Sequence, residues 1–331
     1  GYLLTDRAFA GADTLATSYA IATAILSNLT DTQRALHNIG GRPNRNILIN
    51  GIAVGGGDSG QFPINQRGQK TYRGGIAIDG WRISGNGSER ADLQADGILL
   101  TSTAQYGAYW GQTVDPNEVE WIIGKTVTGS CYMGNINGFN PTLYVEKNGE
   151  YWLGVPVVEN DITSMTFDVP EGTNSLKVYI AADAAGTTLF KAAKLEEGPV
   201  QPVGYKDSDG KVQLLGDTDY GEELTRCQRY LIAETAENEK PGTVYSSTSG
   251  VFTIPTAVQM RTTPVLLELK GYEPKIALSD GSTVLITKEE ITVLGADVSG
   301  VRIRVDVTGG KTLKLGPASI RDCNMVLSAE L

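Results

Sequence analysis

From residue 44 to about residue 205 the hydrophobic positions come in short runs separated by glycine, asparagine and proline, the pattern of strands joined by turns. Residues 47–49, 76–83, 97–102, 120–123, 125–133, 142–145, 164–169, 175–181 and 188–195 read as strands. Strands at this spacing with no helix between them predict an antiparallel sandwich. Asn148-Gly149 and Glu171-Gly172 read as turns, because glycine takes a positive φ at little cost. A polar, irregular stretch follows at 205–219. Strand-and-turn pattern then returns at 251–254, 265–269, 291–294, 301–307 and 324–329.

Residues 12–39 have a different period. The stretch is alanine-rich and free of proline, and Leu15, Tyr19, Ala22, Leu26, Leu29, Gln33 and Leu36 follow one another by alternating steps of four and three. That is a heptad seam, suited to a short parallel coiled coil. A second stripe through Ile21, Ile25, Ala35 and Ile39 competes with it, so a trimeric stem and an ordinary amphipathic hairpin both fit. Thr30-Asp31-Thr32-Gln33 has capping-box spacing, and Gly40-Gly41 followed by Pro43 supplies a stop, so two short helices fit as well as one.

Several short phrases follow one another along the chain. Asn46-Ile47-Leu48-Ile49-Asn50, Ile64-Asn65-Gln66-Arg67-Gly68 and Asp79-Gly80-Trp81-Arg82 are followed by Ile122-Ile123-Gly124-Lys125-Thr126-Val127-Thr128 and Lys194-Leu195-Glu196-Glu197-Gly198. Further on come Glu223-Leu224-Thr225-Arg226-Cys227-Gln228-Arg229-Tyr230, Val258-Gln259-Met260-Arg261-Thr262-Thr263-Pro264 and the terminal Ala329-Glu330-Leu331. Together with the segment from Leu29 to Gly40, this series resembles the distal part of bacteriophage and prophage tail fibres. The resemblance implies a mostly β protein in four parts: a helical oligomerisation stem at 1–41, a carbohydrate-binding-like jelly-roll at 42–205, a linker at 206–221 and a C-terminal β-sandwich at 222–331. It also implies a homotrimer held in part by Leu15, Tyr19, Ala22, Leu26, Leu29 and Leu36, joined to upstream fibre or baseplate proteins, assembled in the bacterial cytoplasm and carried on the virion. The function it implies is multivalent adhesion to a bacterial surface polysaccharide or other cell-wall glycan. A purely structural spacer or cap, and a surface-polysaccharide depolymerase, are the alternatives. No 20- to 30-residue repeat of the kind a depolymerase β-helix needs is visible.

Composition agrees with a soluble, globular, turn-rich chain: 331 residues include 40 glycines, and 40% of positions are hydrophobic. Its length admits two or three domains. No apolar run is long enough for a membrane helix, and no signal pattern opens the chain. Beginning at Gly1 without methionine, it reads as a piece of a longer product. A net charge of -10 argues against nucleic acid as a partner. Cys131, Cys227 and Cys323 are widely spaced and odd in number, which predicts buried thiols rather than a disulfide framework or a metal site.

Candidate chemistry is sparse. The single histidine, His37, sits near a predicted helix end, and one histidine supports neither a Ser-His-Asp set nor a histidine metal cluster. Gly124-Lys125-Thr126 lacks the first glycine of a P-loop, because position 119 is valine, and Gly57-Asp58-Ser59-Gly60 lacks the last glycine of a nucleophile elbow. Asp207, Asp209, Asp217 and Asp219 gather carboxylates without the spacing of a calcium loop and read as a solvated turn. Asp115 with Glu118 and Glu120 has the residue types for glycoside hydrolysis, whose required separation only a fold can supply. No enzyme activity, metal or cofactor is expected. The aromatics are more informative: Tyr106, Tyr109 and Trp110 fall in a loop-like stretch, 104–112, with Gln112 and Asp115 nearby. Aromatic planes beside amides and carboxylates suit a sugar's apolar faces and hydroxyl rim, and packing in the core or a subunit interface is the competing use of the same rings. Trp81 and Trp121 read as core; Tyr151 and Trp152 fit either use.

Overall fold

The structure, a computed structural model, describes residues 45–51, 64–85, 89–103, 109–199, 203–214, 220–234, 239–271, 273–297 and 299–329. The stem positions Leu15, Tyr19, Ala22, Leu26, Leu29 and Leu36, together with His37, Tyr106, Asp217 and Asp219, lie outside the described residues. The chain divides into two compact units. One comprises Gly1–Pro63, Lys70–Ala77 and Trp81–Asp217, and the other Ile64–Gln69, Ile78–Gly80 and Thr218–Leu331.

The first unit is a jelly-roll. Strands β1 (Thr71–Tyr72), β2 (Gly75–Ile76), β3 (Arg82–Ser84), β4 (Arg90–Gln94), β5 (Gly97–Ser102), β6 (Tyr109–Thr113), β7 (Thr126–Asn137), β8 (Pro141–Lys147), β9 (Glu150–Pro156), β10 (Ile162–Asp168), β11 (Leu176–Ala182) and β12 (Gly186–Glu197) form two antiparallel sheets. Their orders are β1-β4-β5-β12-β7-β10 and β2-β3-β6-β11-β8-β9. From β5 onward the chain crosses between the sheets at every connection except β8 to β9. Side chains alternate along each strand, so Ile83, Trp110, Leu143, Val145, Val178 and Ile180 from one sheet meet Ile98, Leu100, Cys131, Met133, Phe190 and Leu195 from the other in a core closed to solvent. Trp81 anchors it: the indole stacks on Trp110 with centroids 5.2 Å apart, and its N–H donates to the Asn50 carbonyl at 2.8 Å. A hairpin, β13 (Gly204–Lys206) with β14 (Val212–Leu214), follows.

Three local expectations are corrected. Residues 47–49 are buried but form no regular strand; they run beside β12 through Ile47 N–H to Leu195 O and Ala193 N–H to Gly51 O, both 2.7 Å. Asn46 sets this path, its Oδ1 accepting from Leu48 N and Leu195 N. The expected strand 76–83 is split by a turn at Asp79-Gly80, where Gly80 has φ 78°, and Ala77 N–H closes onto Trp81 O at 2.8 Å. The expected strand 120–123 belongs to a helix, α1 (Pro116–Ile122), capped by Asp115 and started by proline. Val119 and Ile122, three apart, turn inward, and this leaves Trp121 outside, 51% exposed, under the Lys125 ammonium rather than in the core.

The second unit holds α2 (Tyr220–Gln228) and strands β15 (Leu231–Glu234), β16 (Lys240–Val244), β17 (Ser249–Ile254), β18 (Val265–Lys270), β19 (Lys275–Leu278), β20 (Thr283–Leu285), β21 (Ile291–Asp297), β22 (Gly300–Asp306), β23 (Gly316–Arg321) and β24 (Asn324–Ser328). They form a three-stranded sheet, β15-β24-β18, and a seven-stranded sheet, β20-β19-β23-β16-β17-β22-β21. Phe252, Ile254, Ile276, Ile303, Val305, Ile320, Met325 and Leu327 fill its core. Gln66, from the short segment grouped with this unit, donates from its side chain to Leu231 O at 2.7 Å and from its backbone to the buried Asp79 carboxylate at 2.9 Å.

Candidate functional site

On four neighbouring strands of the first unit, β6-β11-β8-β9, the residues opposite to the core-facing ones are unusually aromatic. Pairing places Tyr109 opposite Ala181 and Thr142, places Gly111 opposite Tyr179, Tyr144 and Gly154, and places Glu146 between Lys177 and Tyr151. Each tyrosine on β11 and β8 lies between two core aliphatics, Val178 and Ile180 or Leu143 and Val145, so strand alternation alone turns it outward. The four rings form one strip. Tyr109 and Tyr179 have centroids 5.7 Å apart, Tyr179 and Tyr144 stack at 5.4 Å and 25°, and Tyr144 meets Tyr151 edge-on at 5.2 Å and 77°. These are favourable ring geometries. Three inter-strand steps of about 4.8 Å give the strip a length of roughly 14 Å.

Two glycines make room for it. A Cβ on Gly154 would stand 2.7 Å from the Tyr144 ring, and one on Gly111 would stand 2.3 Å from Tyr179 Cβ. The strip floors a cleft of about 440 Å³, lined also by Asn140, Thr142, Ala181, Ala182 and Asp183. Asn140 and Asp183 come from two loops that lock together: Gly138 bridges to Thr187, and a side chain at Gly186 would strike the Asn137 carbonyl and the Phe139 amide. Asn140 takes a left-handed backbone, φ 46°, and its amide donates to Asp183 Oδ1 at 2.8 Å. Tyr179 is pushed up to about 12, first by burial and then by the Glu146 carboxylate and the other three tyrosines. Its hydroxyl therefore stays protonated at any physiological pH.

The sequence-predicted residues are not brought together here. Tyr109 is 40% exposed and lines the cleft. Trp110 is the next residue on the same strand and so points the other way; its ring lies in the core between Trp81 and Phe190, closed to any ligand. Gln112 also faces inward, accepting from Ile49 N–H at 3.0 Å and donating back to Ile49 O, and so holds the 45–51 segment in place. Asp115 is spent on capping α1, accepting from Asn117 N at 2.9 Å. The stretch read as a loop is strand from Tyr109 onward. Of the flexible pair, Tyr151 is 63% exposed on the cleft, whereas Trp152 packs edge-on against Phe167 at 5.2 Å. Sequence reasoning missed Tyr144, Tyr179, Asn140, Thr142 and Asp183, although a tyrosine between two aliphatics in a strand was a readable signal for the first two.

The other candidates are occupied structurally. Glu118 pairs with Arg45, and Lys125 pairs with Glu197 at 3.1 Å. Asp207 closes its own turn, accepting from Asp209 N, Lys211 N and the Gln213 side chain. Among the described residues no three His, Cys, Asp or Glu side chains converge as a metal site, and the three cysteines are buried free thiols.

No family model matches the sequence, and no curated protein does. Solved structures with weak likeness include the C-terminal family 22 carbohydrate-binding module of a Clostridium thermocellum protein, 14% identical over 39% of this chain and 95% of that one, with a TM-score of 0.29. A xylan-binding domain from Paenibacillus barcinonensis is 13% identical over 46% of this chain and 95% of its own, with a TM-score of 0.28. The enzymatically active domain of tailspike protein 4 of bacteriophage CBA120 is 13% identical over 44% of this chain and 21% of that one, with a TM-score of 0.25. Likenesses at these scores carry no functional weight.

Proposed function

We propose that this chain is a non-catalytic glycan-binding protein that holds a short run of sugar residues along Tyr109, Tyr179, Tyr144 and Tyr151. The observation that carries the reading is the strip itself: four outward rings in mutual contact, flooring a cleft with amide, hydroxyl and carboxylate groups along one wall. Ring faces take the apolar faces of sugars while the polar wall takes hydroxyls.

In its finer form the proposal is adhesion: the distal region of a phage tail fibre, trimeric through a stem at 1–41, presenting several copies of this cleft to a bacterial surface glycan. Support for that form comes from the ordered phrases in the sequence. The test is a glycan array and whole-bacterium binding with the full chain and with Tyr144→Ala and Tyr151→Ala. Loss of retention in both variants, with melting unchanged, is expected. Retention equal to wild type would remove the cleft from the function. Light scattering at a monomer mass would remove the trimeric fibre form while leaving glycan binding in place.

A further inference from the structure

The wall of the cleft is asymmetric in its hydrogen-bonding character, and this defines the ligand more closely. Asp183 is acceptor-only when ionised, so the Asn140 amide must turn its NH₂ toward it, as the 2.8 Å contact from Nδ2 to Oδ1 requires. That contact uses one of the two amide hydrogens of Asn140 and leaves its carbonyl oxygen as an acceptor. Among the described residues Asp183 Oδ2 takes no hydrogen bond and Asp183 makes no ion pair. An open carboxylate oxygen therefore stands in the wall of a cleft floored by aromatic rings. The loops carrying Asn140 and Asp183 are fixed by the Gly138–Thr187 bridge and the close packing at Gly186, so the pair is set before any ligand arrives.

A hydroxyl satisfies such a carboxylate incompletely, since it brings one donor and an acceptor of its own. An ammonium brings three donors and no acceptor. The rings favour the same charge, because the face of an aromatic ring is its negative pole and attracts cations. The protein already uses that attraction in this strip: Lys177 Nζ lies 4.9 Å from the Tyr179 centroid. Lys177 is on the flank away from Asp183 and is paired with Glu146 at 3.7 Å, so its charge is met locally. None of the residues lining the cleft is cationic.

Building on the glycan-binding reading, we infer that the cleft selects a glycan bearing a free primary amine, a hexosamine without its N-acyl group, with the ammonium seated on the Asp183 carboxylate beside the rings. N-acylation would remove the charge and two of the three donors. Anionic sugars would meet Asp183 and an acidic protein.

The probes are glucosamine oligomers, their N-acetylated counterparts and neutral glucose oligomers of equal length, titrated calorimetrically into the full chain. About a tenfold preference for the free amine is expected from one exposed ion pair plus one cation–π contact, shrinking as salt is raised. Asp183→Asn should remove the ion pair's share and leave only the few-fold preference that the cation–π contact supplies. Equal binding of amine and acetylated oligomers, or tighter binding of the neutral series, overturns the amine inference and leaves glycan binding standing. Failure of all three series overturns it together with any hexose-based version of the proposed function. A lysine-containing peptide that competes for the cleft as well as the glucosamine oligomer would overturn the assignment to a sugar. The comparison of amine, acetylated and neutral oligomers needs no variant, so it decides the matter even if Asp183→Asn folds poorly.

Discussion

Gly154→Ala adds one methyl group to the floor of the cleft and removes nothing that could touch a ligand. The new carbon would lie 2.7 Å from both Cδ1 and Cε1 of Tyr144 and 3.2 Å from the Tyr151 hydroxyl, whereas carbon atoms rest at about 3.5–4.0 Å. The Tyr144 ring must therefore retreat by roughly 1 Å. It cannot do so toward the core, which Leu143 and Val145 fill, so it swings outward and gives up its 25° stacking on Tyr179 and its edge contact with Tyr151. Gly154 has no left-handed φ, so the backbone tolerates alanine. The overpacking cost should stay near the low end of the usual 1–3 kcal/mol because the displaced ring has solvent to move into. Two ring contacts at about 0.5–1.5 kcal/mol each hold the strip in line, and losing that alignment should weaken oligosaccharide binding by about tenfold, roughly 1.4 kcal/mol. Calorimetry with whichever oligosaccharide binds the wild type reads the affinity. All four tryptophans, Trp81, Trp110, Trp121 and Trp152, lie in the first unit, so their fluorescence reads its unfolding without interference from the second. Gly111→Ala is the contrast: its Cβ would meet Tyr179 Cα at 2.7 Å and Val178 O at 2.5 Å, and backbone cannot step aside, so that variant should lose stability first. Wild-type affinity in Gly154→Ala with an unchanged melt would refute the idea that the strip's alignment does the binding.

Trp110→Ala should destabilise the first unit by about 3–5 kcal/mol, seen as a lower urea midpoint, whereas Tyr109→Ala should leave that midpoint nearly unchanged and reduce glycan retention. Lys194 and Glu196 are buried side by side on β12, 3.2 Å apart, and burial, opposed by Lys194, raises the Glu196 carboxyl from 4.5 to about 7. The folded state then holds a proton that the unfolded state releases, so this group's contribution to the stability of the first unit is fully present below pH 4.5 and is lost as pH rises toward 7, by on the order of 3 kcal/mol at 1.36 kcal/mol per pH unit; urea titrations followed by tryptophan emission should show this slope as the difference between wild type and Glu196→Gln. The second unit should respond in the opposite sense: burial alone would raise Glu290, but its bonds to Lys311, Thr308 and Thr287 bring it down to about 2. Its contribution is present above pH 4.5 and lost as pH falls toward 2, and Glu290→Gln should cost about 2–3 kcal/mol at neutral pH in a far-ultraviolet circular-dichroism melt.

The jelly-roll was legible because its strands obey period two over long runs, and β5, β7, β8, β10, β11 and β12 fall close to the apolar stretches read from the chain. Strands with little burial or loop-like composition were not legible. β9 carries Gly154 and Pro156 and buries little, and β6 opens with two aromatics and a glycine, Tyr109, Trp110 and Gly111, which mimics a loop. The stretch around β6 also explains the misreading of the site. Tyr109, Trp110, Gln112 and Asp115 are close in sequence, but strand alternation and a helix cap send them to four different duties. The residues that do share a surface are spread from Tyr109 to Asp183 and meet only through the order β6-β11-β8-β9, which is long-range pairing that no local pattern encodes. The helix α1 was hidden for another reason: its two core residues, Val119 and Ile122, sit among Trp121 and Ile123, and a short apolar cluster interrupted by Glu120 does not distinguish strand from helix. Asp115-Pro116 was the available signal for a helix start.

The chemistry of the cleft also bears on why copy number would matter. Its rings are neutral, half of them well exposed, and its polar wall reduces to Asn140, Thr142 and Asp183. A ligand lying there keeps one side in water and pays the full cost of lost freedom for a few contacts, so a single cleft should bind weakly. Weak, fast-exchanging contacts gain most from linkage, since a second cleft on the same particle sees its glycan at an effective concentration in the millimolar range. On the proposed fibre reading, the retention of bacteria should therefore fall far more steeply than single-site affinity when the protein is made monomeric. A chain whose isolated cleft already held its glycan at nanomolar strength would need no such linkage, and that result would argue for a solitary binding module instead.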